Sequence, residues 1–490
     1  MSNGDTAAPT RTNAVIIGAG FGAIGLGISL RAAGLTDFIV LEKSNRVGGV
    51  WRENSYPGAA CDIPSHLYSF SFAPRADWPD RYANQADILA YLEDCARTHG
   101  LLPHIRFGTE VTEACWDETR SLWVVDTRGG TVFESPALIT ATGQLNRPAR
   151  PHLPGIESFA GPVFHSAEWR HDVDLAGKRI AVIGTGASAI QFVPAIAPLA
   201  DKLTVFQRSA AYVLPKSDKV YPRWQRSLFA KMPGALWLSR AWTYLRHEAR
   251  AFAFVTWPAA LNIKRGAFRR HLEAGVTDPE KRRRLTPAYR LGCKRILISN
   301  DFFPAMDRPN VEVVTDPINE VRRDAIVGAD GTAHKADAII LATGFTATDF
   351  LVPIRIAGRG GIDLHEAWRN GAQAHLGIAV AGFPNFFMLY GPNTGLAHNS
   401  VVYMLECQIR YVIACLKRLR DGARALEVRD DVQARSNARV QRRMTRTIWL
   451  RGCTSWYLDA AGRNTVSWPG YSFEFAWRTR APKWDDYVVR

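Results

Sequence analysis

A chain of 490 residues is longer than one ordinary hydrophobic core organises, so two or three domains are expected, and 47% apolar content excludes a largely disordered protein. The opening stretch MSNGDTAAPT has no basic start followed by an apolar core, and no run approaches ~18 consecutive apolar residues, which points to a cytoplasmic protein with neither leader nor membrane span. A net charge of +15 favours anionic partners: phosphate-bearing cofactors, nucleic acid or an acidic membrane surface.

The first element, AVIIGAGFGAIGLGISLRAAG, is a buried strand, a glycine turn and a helix that stops at Gly34. Gly18, Gly20 and Ala23 form GxGxxA. The first glycine makes the tight turn, the second admits a pyrophosphate to the backbone, and the small third residue lets helix pack on strand. The next strand, FIVLE, ends at Glu42, 24 residues after Gly18, where an acid that binds ribose belongs. GGVWRENSYPGAACD follows from Gly48 to Asp62, and LITATG ends a further strand at Gly143.

The loop FAGPVFHSAEWRHD, from Phe159 to Asp172, carries aromatic residues and a histidine where a passive linker would carry Gly, Ser or Pro. The strand, turn and helix pattern then returns in KRIAVIGTGASAIQFVPAIA, with Gly184, Gly186 and Ala189 in the turn. Its second strand, LTVFQRS, ends in Gln207 and Arg208 instead of an acid. A guanidinium there pairs with a 2′-phosphate that a carboxylate would repel, so this site is expected to take NADP(H).

Residues 215–290 carry apolar and basic residues at helical spacing without a glycine turn, which predicts an added helical insert. Its surplus of Arg, Lys and Trp reads first as solvated helix faces, with an anionic membrane surface as the alternative. No recognition helix, zinc pattern or single-strand-binding pattern accompanies the charge, so nucleic acid is not expected. After the insert come CKR (Cys293 to Arg295), AIILATGF, YGPNTGLAHNS and SWYLDAAGRN. The seven cysteines are scattered, odd in number and without a CxxC pair, so reduced thiols and no metal site are expected.

Two of these pieces carry a specific resemblance. GGxWxxxxYPGxxxD, with Gly49, Trp51, Tyr56 and Asp62, and FxGxxxHxxxW, with Phe159, Gly161, His165 and Trp169, resemble the fingerprints of the type I Baeyer-Villiger monooxygenases, and the other motifs follow in the order of that family. The resemblance implies FAD in the first glycine turn, NADPH in the second, and a C4a-peroxyflavin that attacks a ketone to give an ester or lactone. It also implies Arg295 as the cation that keeps the peroxide anionic, Asp62 as its carboxylate partner and Lys294 as a contact to the 2′-phosphate. Trp51 and Tyr56 would pack around the flavin, Asn393 would sit in a turn near its ring, and Trp456 would lie on a loop that folds over NADP+. Phe159, Gly161, His165 and Trp169 would couple the two nucleotide domains. One departure is Arg170, after Trp169, where the family continues with Pro or Asp. A basic residue there resembles the flavin monooxygenases that oxygenate nitrogen and sulfur, which form the alternative reading, beside a flavoprotein that reduces without oxygenating.

The expected architecture is therefore α/β, with two Rossmann-like dinucleotide-binding domains and a helical insertion. Residues 1–150 and 380–490 would form the FAD domain, 151–214 and 291–379 the NADPH domain, and 215–290 the insert.

Overall fold

The computed structural model describes residues 8–452 and 455–490. Most of the opening stretch, and Cys453, lie outside the described residues.

Val15–Ile17 is an unbroken buried apolar triplet, the composition of a strand covered on both faces. It lies at the centre of a wholly parallel sheet whose spatial order is Phe386–Met388, Leu138–Thr140, Val15–Ile17, Ile39–Leu41 and Ile105–Arg106. One edge strand thus comes from more than 200 residues further along the chain than its neighbour Leu138–Thr140. Helix Phe21–Ala32 follows the first glycine turn and buries one side against helix Val401–Arg420.

The second parallel sheet runs Val311–Val314, Lys202–Phe206, Arg179–Ile183, Ala338–Leu341 and Val163–His165. Its last strand is part of the loop that carries the aromatic residues and histidine, so that segment is built into the sheet as its edge. Gly161 is required there for space: a Cβ on it would come within 2.2 Å of the Asp337 carbonyl oxygen. An antiparallel meander, Val111–Asp117, Leu122–Thr127 and Val132–Ser135, flanks the first sheet with its own edges at Thr10–Arg11 and Arg355–Ala357.

Two large apolar cores correspond to the two parallel sheets. The first joins residues of the N-terminal segment to Ile378, Leu389, Leu405 and Val412. The second joins Phe164, Val182, Phe192 and Ile340 to Met444, Trp449, Tyr457 and Val466, so part of the C-terminal segment packs with the second sheet.

The segment after residue 215 is helical, with helices Arg223–Lys231, Pro233–Ala251, Ile263–Gly275 and Pro279–Arg284. Tyr221 and Phe229 enter the first core, while Phe254, Leu261, Phe268 and Leu272 enter the second, so the insert leans on both. No described helix is long and apolar enough to cross a membrane. The cysteines depart from expectation at one position: Cys293 is disulfide-bonded, while Cys61, Cys95, Cys115, Cys407 and Cys415 are free.

Candidate functional site

The two glycine turns share one backbone geometry. Gly18 (φ +97°) and Gly184 (φ +109°) both lie where L-residues are strained, and a Cβ would meet the Ala141 carbonyl oxygen at 2.8 Å in the first turn and that of Ala342 at 2.5 Å in the second. Gly20 and Gly186 differ from them. A Cβ on Gly186 would find nothing nearer than 4.0 Å, which leaves the backbone there open to a ligand. Gly20 faces Gly49, the second glycine of the GGxW motif, with 3.7 Å between its built Cβ and the Gly49 Cα, so the two fingerprints meet backbone to backbone. Ala23 and Ala189 are buried at the two helix starts, as close helix-on-strand packing requires.

The strand ends are where the two units part. Glu42 is buried, and its carboxylate accepts hydrogen bonds from the Ala19 and Ser44 amides at 2.8 and 2.9 Å, with Arg52 at 3.4 Å. It is thus fixed against the glycine turn with acceptor capacity to spare. At the matching place in the second unit Gln207 turns inward and donates to the Arg284 carbonyl at 2.8 Å, leaving Arg208 exposed. Lys294 reaches the same spot and donates to the Ser209 hydroxyl at 2.9 Å. Burial, and then the Arg208 charge, hold the Lys294 ammonium below its ordinary pKa. Two cations converging without a carboxylate make a site for an anion, and the donor set suits a 2′-phosphate.

One residue from Lys294, the Arg295 guanidinium donates to Asp62 Oδ2 through Nε at 3.1 Å and through its terminal nitrogen at 2.5 Å. The Asp62 carboxylate outweighs burial and raises the pKa of Arg295 above the usual arginine value, so its charge is permanent. Asp62 ends the YPGAACD segment of the first unit, while Arg295 follows the insert, so the pair closes a seam between segments 233 residues apart.

Two tyrosines that lie inside the YGPNTGLAHNS and SWYLDAAGRN motifs but carry no expected role, Tyr390 and Tyr457, also feel the Arg295 charge. Burial pushes Tyr457 up to about 12 and raises Tyr390, while Arg295 opposes both shifts. Tyr390 sits at φ +63°, uncommon for a bulky residue, in the turn that continues to Asn393 at φ +56°. Asn393 is buried and donates to the Asn464 and Ser467 carbonyls at 2.8 and 3.0 Å, which ties this turn to the C-terminal segment. Gln144, just past the LITATG strand, donates to the Tyr390 carbonyl at 2.8 Å and leaves its own buried Oε1 without a partner among the described residues. That orphaned acceptor, the open glycine backbones and the fixed Glu42 are what a flavin dinucleotide would engage, and the residues present fit the group.

Other expected residues have definite places. The Trp51 indole donates to Tyr68 at 3.2 Å beside the first core. Tyr56 donates to the Gln191 side chain at 2.9 Å, and Gln191 in turn donates to the Ala60 carbonyl at 2.9 Å, so the YPGA segment docks on the helix that follows the second glycine turn. On the same helix Phe192 meets Trp169, at 5.2 Å between ring centroids, and Trp169 also packs edge-on against Phe164. Phe159 is buried in a satellite core with Ile339 and Leu341. His165 is fully buried in the edge strand, accepts from the Ala167 amide at 3.1 Å and lies against Phe345 of the LATGF turn; burial lowers its pKa. Trp456 is 38% exposed and leans on Tyr457 at 4.4 Å, next to the Arg295 environment. Arg170 is paired with Asp172 at 2.5 and 2.7 Å on the surface.

The family model described as flavin-binding monooxygenase-like matches residues 11–354. The chain is 47% identical to the Baeyer-Villiger monooxygenase of Streptomyces coelicolor over 477 residues, covering 97% of this chain and 92% of that protein. Among solved structures, OTEMO in complex with FAD and NADP aligns at a TM-score of 0.87 with 26% identity, covering 99% of this chain and 100% of that one. Cyclohexanone-bound cyclohexanone monooxygenase aligns at 0.86 with 29% identity and the same coverage.

Proposed function

The chain belongs to the flavin-binding monooxygenase-like family, and from that premise we propose the parts its residues play in a Baeyer-Villiger oxygenation. It is an FAD- and NADPH-dependent Baeyer-Villiger monooxygenase that converts a ketone to an ester or lactone with one atom of O2. The main body of its FAD unit is residues 1–150 and 380–490, that of its NADPH unit 151–214 and 291–379, with 215–290 the insert beside them, while Arg355–Ala357 and Ile378 side with the first unit and Met444, Trp449, Tyr457 and Val466 pack with the second. The need for NADPH assigns it to the cytoplasm, where the reduced nucleotide is supplied.

Bound FAD, once reduced by NADPH, supplies the activated oxygen. The observation that carries the reading is the Arg295–Asp62 pair. Attack on a carbonyl needs an anionic oxidant, whereas oxidation of sulfur or amines uses the protonated form. A cation that never loses its proton favours the first. Arg295 holds that charge beside the reacting atoms and then faces the oxyanion that develops on the ketone oxygen. Asp62 orients the guanidinium and offsets the cost of burying it. Trp51 would pack at the flavin edge, and Tyr56 holds the seam between the units through Gln191. Asn393 fixes the turn near the ring.

In the second unit Arg208 and Lys294 would take the 2′-phosphate, and Trp456 would cover the bound nucleotide and keep water out. Phe159, Gly161, His165 and Trp169 transmit movement between the units: the edge strand carries His165, and Trp169 grips the helix on which the YPGA segment docks. Oxygenation of nitrogen or sulfur rested on Arg170 alone, and its pairing with Asp172 on the surface gives that reading no support.

Replacing Arg295 with Ala is expected to lower ester formation by about 10²–10³-fold while FAD content is retained, because a preorganised charge is worth that much at a developing oxyanion. NADPH oxidation should continue and release hydrogen peroxide. Unchanged ester formation in an FAD-loaded Arg295→Ala protein would remove the role.

A further inference from the structure

Helix Pro233–Ala251 is amphipathic in the wrong sense for a surface helix. Its inward face is mostly polar, with Ala235 and Leu236 packed on the first core and the buried His247 Nε2 without a partner among the described residues. Ser239 meets His66 at 2.8 Å, Arg240 donates to the His66 and Ser69 carbonyls at 2.8 Å, and buried Glu248 accepts from Asn399 and from Ser472. Its outward face is apolar: Trp237, Leu238, Trp242 and Leu245 are 66%, 61%, 67% and 60% exposed. A helix normally turns its apolar stripe to the core and its polar stripe to water. Here burial went to the polar side, so the outward stripe is selected for something other than the fold.

The apolar surface continues past the helix end. Exposed Phe252 touches exposed Trp257 at 6.2 Å, and Ile263 follows at 77% exposure. On the neighbouring C-terminal helix Ser472–Arg478, Phe473 and Trp477 are exposed, and the Thr256 and Tyr471 hydroxyls meet at 3.1 Å to bring the two segments together. A patch of this extent marks a contact surface.

Charge decides the occupant. Residues 221–270 contain ten Lys and Arg and a single acidic residue, Glu248, which is buried. Beside Trp257 opens a cavity of about 350 Å³ lined by Pro258, Ala259, Asn262 and three arginines, Arg265, Arg290 and Arg451. None of the three has an ion pair or side-chain hydrogen bond among the described residues. A second copy of the chain would oppose one cationic rim to another. A sheet of anionic headgroups over an apolar interior complements both features, with tryptophans at the depth they favour and arginines at the phosphates.

We infer that this face docks the enzyme on the surface of an anionic phospholipid bilayer, with the tryptophan and leucine stripe seated in the interface and a headgroup phosphate in the three-arginine cavity. No described helix crosses the membrane in this arrangement. It also brings an oxygenase of ketones next to the phase where apolar ketones collect.

The test is flotation of the FAD-loaded full chain with vesicles of phosphatidylcholine alone and of phosphatidylcholine with an equal share of phosphatidylglycerol. Binding is expected to be at least ~10-fold stronger to the anionic vesicles at about 0.1 M salt and to weaken at high salt. The triple variant Trp237→Ser, Trp242→Ser, Leu245→Ser should lose binding by more than ~10-fold and still oxidise NADPH with a water-soluble ketone at the parent rate. Arg265→Glu with Arg451→Glu should weaken anionic-vesicle binding by at least roughly fivefold per arginine. The inference fails if the parent protein does not float with anionic vesicles, or if the triple variant floats as well. It also fails if sedimentation velocity shows a parent dimer that the triple variant dissociates, because a second copy would then cover the stripe. Vesicle binding is read without turnover, so its failure leaves the oxygenase assignment intact, and failure of that assignment leaves this test standing.

Discussion

The two nucleotide turns are built alike and finished differently. Both begin with a glycine that no other residue could replace without colliding with a carbonyl, Gly18 against Ala141 and Gly184 against Ala342. At the strand ends, the first unit fixes a buried carboxylate with two backbone amides. The second turns its glutamine away and leaves Arg208 and Lys294 converging on Ser209. On the proposed reading the fold provides the pyrophosphate cradle twice, and a few side chains at one strand end set which nucleotide each cradle takes.

The largest effect should come from breaking the shared part. Gly184→Ala places a Cβ 2.5 Å from a backbone oxygen at φ +109°, so a loss of roughly 1–3 kcal/mol and of NADPH-driven turnover is expected, read by thermal unfolding and steady-state rates. Gly186→Ala has open space on the protein side. It should leave the melting temperature unchanged and still raise KM for NADPH by about tenfold, because only the cofactor's approach is obstructed. If both variants unfold alike, Gly186 is structural and does not mark the cradle.

Breaking the difference should spare the fold, and so cost less than Gly184→Ala, while exceeding the effect of Gly186→Ala on KM. Arg208→Ala combined with Lys294→Ala removes two charge-assisted contacts and should raise KM for NADPH by ~10²-fold while kcat/KM for NADH stays within about twofold. An equal loss with both nucleotides would mean that the two cations do not read the 2′-phosphate.

The smallest effect concerns pH. Burial and Arg208 lower the pKa of Lys294, so its positive charge is lost at a lower pH than for an ordinary lysine. KM for NADPH should rise as pH is taken from 7 toward 10, and Lys294→Arg, whose charge persists, should flatten that rise. A profile that is flat in the parent protein would contradict the assignment.

Much of this was legible in local sequence. The glycine turns, Glu42 and the Lys294–Arg295 dipeptide are contiguous signals, each carried by a strand, a turn or a strand end. What local patterns could not show is what meets across the seam. Tyr390 and Tyr457 reach the Arg295 environment from two separate C-terminal loops, and nothing within either loop indicates it. The hydrogen bond from Tyr56 to Gln191 joins residues 135 positions apart. It places Tyr56 on the interface between the two units, which the motif alone did not reveal. Helical periodicity indicated an amphipathic insert but could not indicate which face turned inward, because Glu248 and Ser239 find partners only in the folded chain. Cys293 departs from the reduced state expected of scattered cysteines for the same reason: spacing along the chain says nothing about proximity in space.

On the proposed reading, the permanent charge on Arg295 selects ketone oxygenation. The most direct measurement is mass spectrometry of products formed from isotopically labelled O2 by the FAD-loaded enzyme with NADPH, offered cyclic, aryl and long-chain ketones together with a thioether. Labelled ester or lactone from at least one ketone, lost in Arg295→Ala, is the predicted result. Sulfoxide without any ester would contradict it and identify the protonated oxidant as the working species.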